Sequence, residues 1–307
     1  MYCYARKPAC FAATEQLFAQ HAAAVRAFDP ELVIAFGPDH YNGFFLRLMP
    51  PFCLGLRCDA AADIGGFAGT MQVPADIAVA CVESVRTADV DLAVSYQMTV
   101  DHGFSQTLFR ILGSLDGYPT IPVFVNGMVP PFVPFRRSRL LGQAIGRFVA
   151  TLGKRVLFVA SGGMSHNPKR YYPDFGTGEA AVTDYQLNGG HGIGLSTGQW
   201  LERLDVMHHE GAEMLVDGRR TAADLKLNPE FDRRFLALMT SGELEHVDAI
   251  DPCITAAQAG IGSLELHTWV AATAANAAAG GGAPVEDIYA EALEYGIAFG
   301  MMHAFRN

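Results

Sequence analysis

Four short apolar runs, spaced by turn residues and helix-like stretches, constrain the fold of this chain most. They are Leu32-Val-Ile-Ala-Phe36, Leu92-Ala-Val-Ser-Tyr96, Ile121-Pro-Val-Phe-Val125 and Val156-Leu-Phe-Val-Ala160. Runs this short, dense in branched and aromatic residues, suit strands buried on both faces. Between them, apolar residues recur at helical spacing over 14–28, 75–87 and 138–152, the last through Leu140, Leu141, Ile145, Phe148 and Val149. The alternation predicts an α/β fold with a mostly parallel central sheet flanked by helices. In such a fold the site lies at the carboxyl ends of the strands. Pro122 lacks a ladder N–H, which predicts an edge or a bulge for its strand.

Residues 167–200 break the pattern. They are rich in Gly, Tyr, Pro and Asn and have no sustained period, which predicts a lid-like insert. Helical spacing returns over 201–217, 229–241 (which Gly242 can end), 263–279 with Ser263 as N-cap, and 285–299. Gly280-Gly-Gly-Ala-Pro284 is the best linker, but no composition shift or repeat divides the chain, so 1–307 is read as one catalytic domain.

Composition narrows the partners. Half of the 307 residues are hydrophobic, enough for a large core, and 32 acidic against 22 basic residues leave a net charge of −10. That balance speaks against nucleic acid and anionic membranes, which attract basic faces. No apolar run reaches the ~20 residues of a membrane span, and the first residues lack a signal-peptide core, so a cytoplasmic location is expected. Cys3, Cys10, Cys53, Cys58, Cys81 and Cys253 contain no C-x-x-C pair and are read as reduced, small hydrophobes rather than zinc ligands.

Three of the ten histidines share a context. His40 follows the first run in Pro38-Asp-His, His102 the second in Val100-Asp-His-Gly, and His166 the fourth in Gly163-Met-Ser-His. A lone histidine near a turn is commonly a capping or packing residue. Three in equivalent places would bring imidazoles to one sheet edge, with Asp39 and Asp101 beside two of them. The His208-His209-Glu210 sequence lacks the i, i+4 histidine pair of a zinc protease. His21, His246, His267 and His303 are read as structural or surface residues, and His191, among the insert's glycines, as a weaker site candidate. Arg136, Arg137 and Arg139 are read as a solvated helix start rather than a substrate-carboxylate site.

The stretches around these histidines carry a resemblance. They include Phe28-Asp-Pro-Glu-Leu-Val, Pro38-Asp-His-Tyr-Asn-Gly-Phe-Phe, Met49-Pro-Pro-Phe-Cys-Leu-Gly and Asp91 to Phe104. Pro122-Val-Phe-Val-Asn-Gly, Leu141-Gly-Gln-Ala-Ile-Gly-Arg-Phe, Lys154-Arg-Val-Leu-Phe, Ser161-Gly-Gly-Met-Ser-His and Glu265-Leu-His-Thr-Trp-Val complete the set. Together they resemble the extradiol ring-cleaving dioxygenases of the protocatechuate 4,5-dioxygenase superfamily. The resemblance implies a homo-oligomer that opens a 3-substituted catechol with dioxygen at Fe(II), held by two histidines and a glutamate. It maps one histidine ligand onto His40 and the glutamate onto Glu265. It also implies His166 as base and His102 as acid, roles that suit an imidazole near neutral pH. The family's first histidine ligand has no counterpart: Tyr4-Ala-Arg-Lys-Pro-Ala puts Arg6 or Lys7 there, and no histidine precedes His21. Two other readings therefore stay open. One is a metal-free relative using His102 and His166 for acid/base chemistry on a phenolic substrate; the other is a non-catalytic subunit.

Overall fold

The computed structural model describes residues 6–304. Helix α1 (Phe11–Phe28) leads into β1 (Leu32–Gly37), β2 (Phe52–Gly55), β3 (Cys58–Ala60) and β4 (Gly69–Met71). Next come α2 (Ala75–Thr87), β5 (Ala93–Ser95), β6 (Met98–Val100), α3 (His102–Leu112), β7 (Thr120–Val125), α4 (Phe135–Ala150) and β8 (Val156–Ala160). The second half holds α5 (Ala180–Asn188), α6 (Thr197–Val216), α7 (Pro229–Thr240), α8 (Pro252–Ala259) and α9 (Leu266–Ala278), then a hairpin of β9 (Val285–Ala292) and β10 (Ile297–His303).

All four apolar runs become strands of one sheet, ordered β5-β2-β7-β1-β8. Strand β1 pairs in parallel with β7 and β8, β2 in parallel with β5, and β2 against β7 is antiparallel. The expected α/β architecture is present. Alternating side chains send Leu32, Ile34, Phe36, Ile121, Val123 and Val125 into a core with α2, α4 and α9. Val33, Ala35, Phe124 and Val159 face the other way, against Phe104 and Leu108 of α3. Helices α4 and α9 touch closely, because an added Cβ at Gly142 or Gly146 would lie 2.0 or 2.2 Å from the Ala271 or Ala275 carbonyl oxygen. Among the described residues no helix is long and apolar enough to cross a membrane.

Several expectations are corrected. Strand β7, with Pro122, lies inside the sheet and not at its edge. Its pairing with β2 covers Val123 to Val125 and stops short of Pro122, so the missing N–H interrupts no ladder there. The last helix expected over 285–299 is the β9–β10 hairpin. Ile288, Ala292, Tyr295 and Phe299 mimic a helical period, but Gly296 takes a left-handed turn (φ 72°) and the two halves pair antiparallel. Ser263 caps no helix: its hydroxyl donates to the Gly260 carbonyl inside a tight turn over Ile261–Glu265, and α9 starts at Leu266. The 167–200 insert contains α5 and the start of α6, where Ser196 and Gln199 form a capping box. Cys10, Cys53, Cys58, Cys81 and Cys253 are free, and burial pushes the thiols of Cys53, Cys58 and Cys81 up to about 12. Cys3 and the other residues of 1–5 lie outside the described residues.

His267 has a structural position that gives it a measurable signature. Its ring is fully buried, stacks on Phe135 at 3.8 Å and meets the Ser138 hydroxyl at 2.8 Å. Burial pulls its pKa down from 6.5 to about 3. The unfolded chain therefore takes this proton below about pH 6.5 and the folded chain does not. Stability from this ring is complete above that pH and falls by about 1.4 kcal/mol per pH unit towards pH 3. Urea denaturation at stepped pH should show a flatter acid limb for His267→Gln; an unchanged slope contradicts the assignment.

Candidate active site

His40 stands three residues past the end of β1, and Asp101 holds it in place. The Asp101 Oδ2 atom accepts the His40 backbone N–H at 2.6 Å and lies 3.1 Å from His40 Nδ1. The same carboxylate caps α3 through the Gly103 N–H at 2.8 Å. Asp101 thus orients His40, and not the His102 that follows it in sequence. Asp39 serves neither ring; it accepts the backbone N–H groups of Asn42, Gly43 and Phe44. His102 opens α3 after β6, a strand of the small β4-β3-β6 sheet rather than of the central one. Its ring Nδ1 and backbone N–H both bond Asp63. The His40 and His102 rings stack with centroids 4.3 Å apart.

Glu265 ends the tight turn before α9 and is buried among these groups. Its Oε2 accepts the Gly163 N–H at 2.7 Å. Its Oε1 lies 3.4 Å from His40 Nε2 and 3.6 Å from His166 Nε2. His166 keeps its Nδ1 on the Met164 carbonyl oxygen at 2.8 Å, which fixes the proton on that nitrogen. The turn carrying Glu265 can pass this ring because residue 262 is glycine: an added Cβ would lie 2.1 Å from His166 Cε1. A cavity of about 1140 Å³ reaches His40, His102, His166 and Glu265 together.

The electrostatics are those of a paired cluster. Burial lowers the His40 pKa, yet the adjoining Asp101 and Glu265 carboxylates raise it well above its ordinary value. For His102 burial is likewise outweighed, here by Asp63, and the pKa is raised. Burial would raise Glu265, but the His40 hydrogen bond and the His166 and His40 charges hold it at about 2. With Nδ1 of each ring engaged by an oxygen, His40 and His166 both turn Nε2 to one carboxylate oxygen. A neutral imidazole there sets a lone pair against negative charge, and a proton or divalent cation between them relieves it. The donor set therefore fits a metal ion.

Arg6 and Lys7 do not intrude. Arg6 is exposed and lies 3.8 Å from Glu294, and the Lys7 ammonium stands over the Phe11 ring. Arg139 is committed to Asp248 at 2.6 and 2.8 Å. His191 is exposed, and His208 stacks on Tyr171. Sequence reading missed Asp63 and also Tyr172. Tyr172 comes from the insert, packs 5.4 Å from the His40 ring, and buries a hydroxyl that has no hydrogen-bond partner.

The family described as the catalytic LigB subunit of aromatic ring-opening dioxygenase matches residues 4–302. The chain belongs to this family. Relatives from Escherichia coli strain K12 and Shigella sonnei strain Ss046 are each named 2,3-dihydroxyphenylpropionate/2,3-dihydroxicinnamic acid 1,2-dioxygenase. Each is 42% identical to this chain over 280 residues, covering 91% of it and 87% of the relative. The protein is thus an extradiol catechol dioxygenase-like enzyme. LigB-family extradiol dioxygenases are generally non-haem iron enzymes.

Proposed function

We propose that this LigB-family enzyme opens a 3-substituted catechol of the 2,3-dihydroxyphenylpropionate type with dioxygen, at Fe(II) held by His40 and Glu265. The observation that carries the reading is the approach of His40 Nε2 and His166 Nε2 to one oxygen of buried Glu265. Fe(II), if held by His40 and Glu265, would supply Lewis-acid and redox chemistry to the reaction of a catechol with dioxygen.

The chain's own groups do the rest. Asp101 orients His40 as a ligand, and the Gly163 N–H orients Glu265. His166, with its proton on Nδ1, offers Nε2 to take the second phenolic proton. His102, its pKa raised by Asp63, carries the proton that assists migration and ring opening. Tyr172, from the insert, packs 5.4 Å from the His40 ring, and its buried, unpartnered hydroxyl is available to bond a catechol oxygen.

Supplied with Fe(II) and air, the protein should turn 2,3-dihydroxyphenylpropionate into a yellow ring-fission product faster than it turns over unsubstituted catechol. Tyr172→Phe should lose about 0.5–1.5 kcal/mol of transition-state binding, roughly 2- to 13-fold in kcat/KM. No product from any catechol would overturn the reading. An unchanged kcat/KM in Tyr172→Phe would remove Tyr172 from it.

A further inference from the structure

The cavity is also lined by His21 and His303, two histidines that sequence reading left isolated. The fold brings them together on Asp287. His21 Nε2 lies 3.1 Å from Asp287 Oδ2, and His303 Nδ1 lies 2.8 Å from Asp287 Oδ1. The two imidazoles meet edge to face with centroids 5.4 Å apart. One ligating atom from each residue lies within 4.8 Å of the other two.

We propose that His21, Asp287 and His303 form a second divalent-metal site, selective for Zn²⁺ or a similar borderline cation, that clamps the C-terminal hairpin to α1. Two imidazoles and one carboxylate are a donor set that such ions favour over the all-oxygen shells of Mg²⁺ and Ca²⁺. The three ligands come from two bodies: His21 from α1, and Asp287 and His303 from the paired strands β9 and β10. Donors bonded at ~2.0–2.2 Å to one tetrahedral ion stand roughly 3.3–3.6 Å apart, so the 2.8 and 3.1 Å pairs need only open by a few tenths of an ångström. The His21 and Asp287 side chains are 13% and 11% exposed, against 32% for His303. Two ligands are therefore sheltered while the third leaves a solvent-facing approach. Asp287 Oδ2 is buried and faces the His21 ring, so the carboxylate stands between the two imidazoles.

The clamp has a structural consequence near the catechol site. Strand β10 is tied to the His166 segment through the Ala298 N–H, which donates to the Ser165 carbonyl at 3.0 Å. An ion joining β10 to α1 steadies the hairpin at the border of that segment.

The test uses the full chain stripped of metal, with His40→Ala as background so that the Glu265 site does not contribute. Zn²⁺ titration by calorimetry and thermal unfolding should still show one bound ion and a raised Tm. Adding His303→Ala or His21→Ala should weaken that binding more than ~100-fold, because losing a group that merely orients a ligand already costs ~10- to 100-fold. The corresponding Tm rise should disappear. His303 is the more exposed of the two, so its variant keeps the test open if His21→Ala fails to fold. No Zn²⁺ binding in the background protein, or binding unaffected by both substitutions, overturns the proposal and leaves a hydrogen-bonded His–Asp–His cluster.

Discussion

Replacing His102 with alanine lowers catechol turnover about 10²- to 10⁴-fold, the usual range for a lost proton-transfer group, and leaves the iron content unchanged. The expectation follows from where His102 stands. Its ring stacks on the proposed ligand His40 and its Nδ1 is held by Asp63, which favours the protonated ring that the proposed acid role needs. Asp63 makes the protonated form more persistent. Asp63→Asn should therefore keep the fold and move the alkaline decline of kcat/KM to lower pH, because activity that needs His102 protonated is lost once pH passes its pKa. A merely structural role for Asp63 would change the rate without shifting that limb. Normal turnover in His102→Ala would remove it from the mechanism.

The second large effect is expected at Glu265. Glu265→Gln preserves the shape and can still accept the Gly163 N–H, but it removes the charge that His40 and His166 both face. Fe(II) affinity should fall by more than ~100-fold, beyond the loss seen when only an orienting partner is removed. Turnover should fall to background with it. His166→Ala separates ligand from base: it should retain iron, measured by titration, and lose turnover. Loss of iron in His166→Ala would make that ring a ligand in place of the family's first histidine. Glu265 is held near 2, so its ligand charge persists across the working pH range and gives no acid limb of its own near neutrality.

Much of this could be read from the residues. Leu32–Phe36 and Ile121–Val125 announced buried strands because both faces of those strands are covered and no polar alternation dilutes the signal. Strands as short as β3, β4 and β6 are too brief to carry a period, and they came as a surprise. The hairpin at 285–303 was misread because its apolar spacing also fits a helix, and pairing between its halves decides the matter. His40, His102 and His166 stood out by their shared context and Glu265 through the family resemblance, and the fold brings the four side chains together. Their partners were not. Asp101 passes over its neighbour His102 to hold His40 across 61 positions, and Asp63 reaches His102 across 39. Such pairings are set by tertiary approach and leave no mark in spacing. The same holds for Tyr172 and for the meeting of His21, Asp287 and His303.

One competing account is metal-free acid/base chemistry by His102 and His166 on a phenolic substrate. Neither Arg6 nor Lys7 stands in the cavity as a substitute ligand. Turnover of 2,3-dihydroxyphenylpropionate under ¹⁸O₂ with added Fe(II) separates the two accounts. The dioxygenase account predicts a ring-opened product carrying both ¹⁸O atoms, with one dioxygen consumed per catechol and none consumed by His40→Ala. Conversion of the phenolic substrate without dioxygen uptake or ¹⁸O in the product would contradict it.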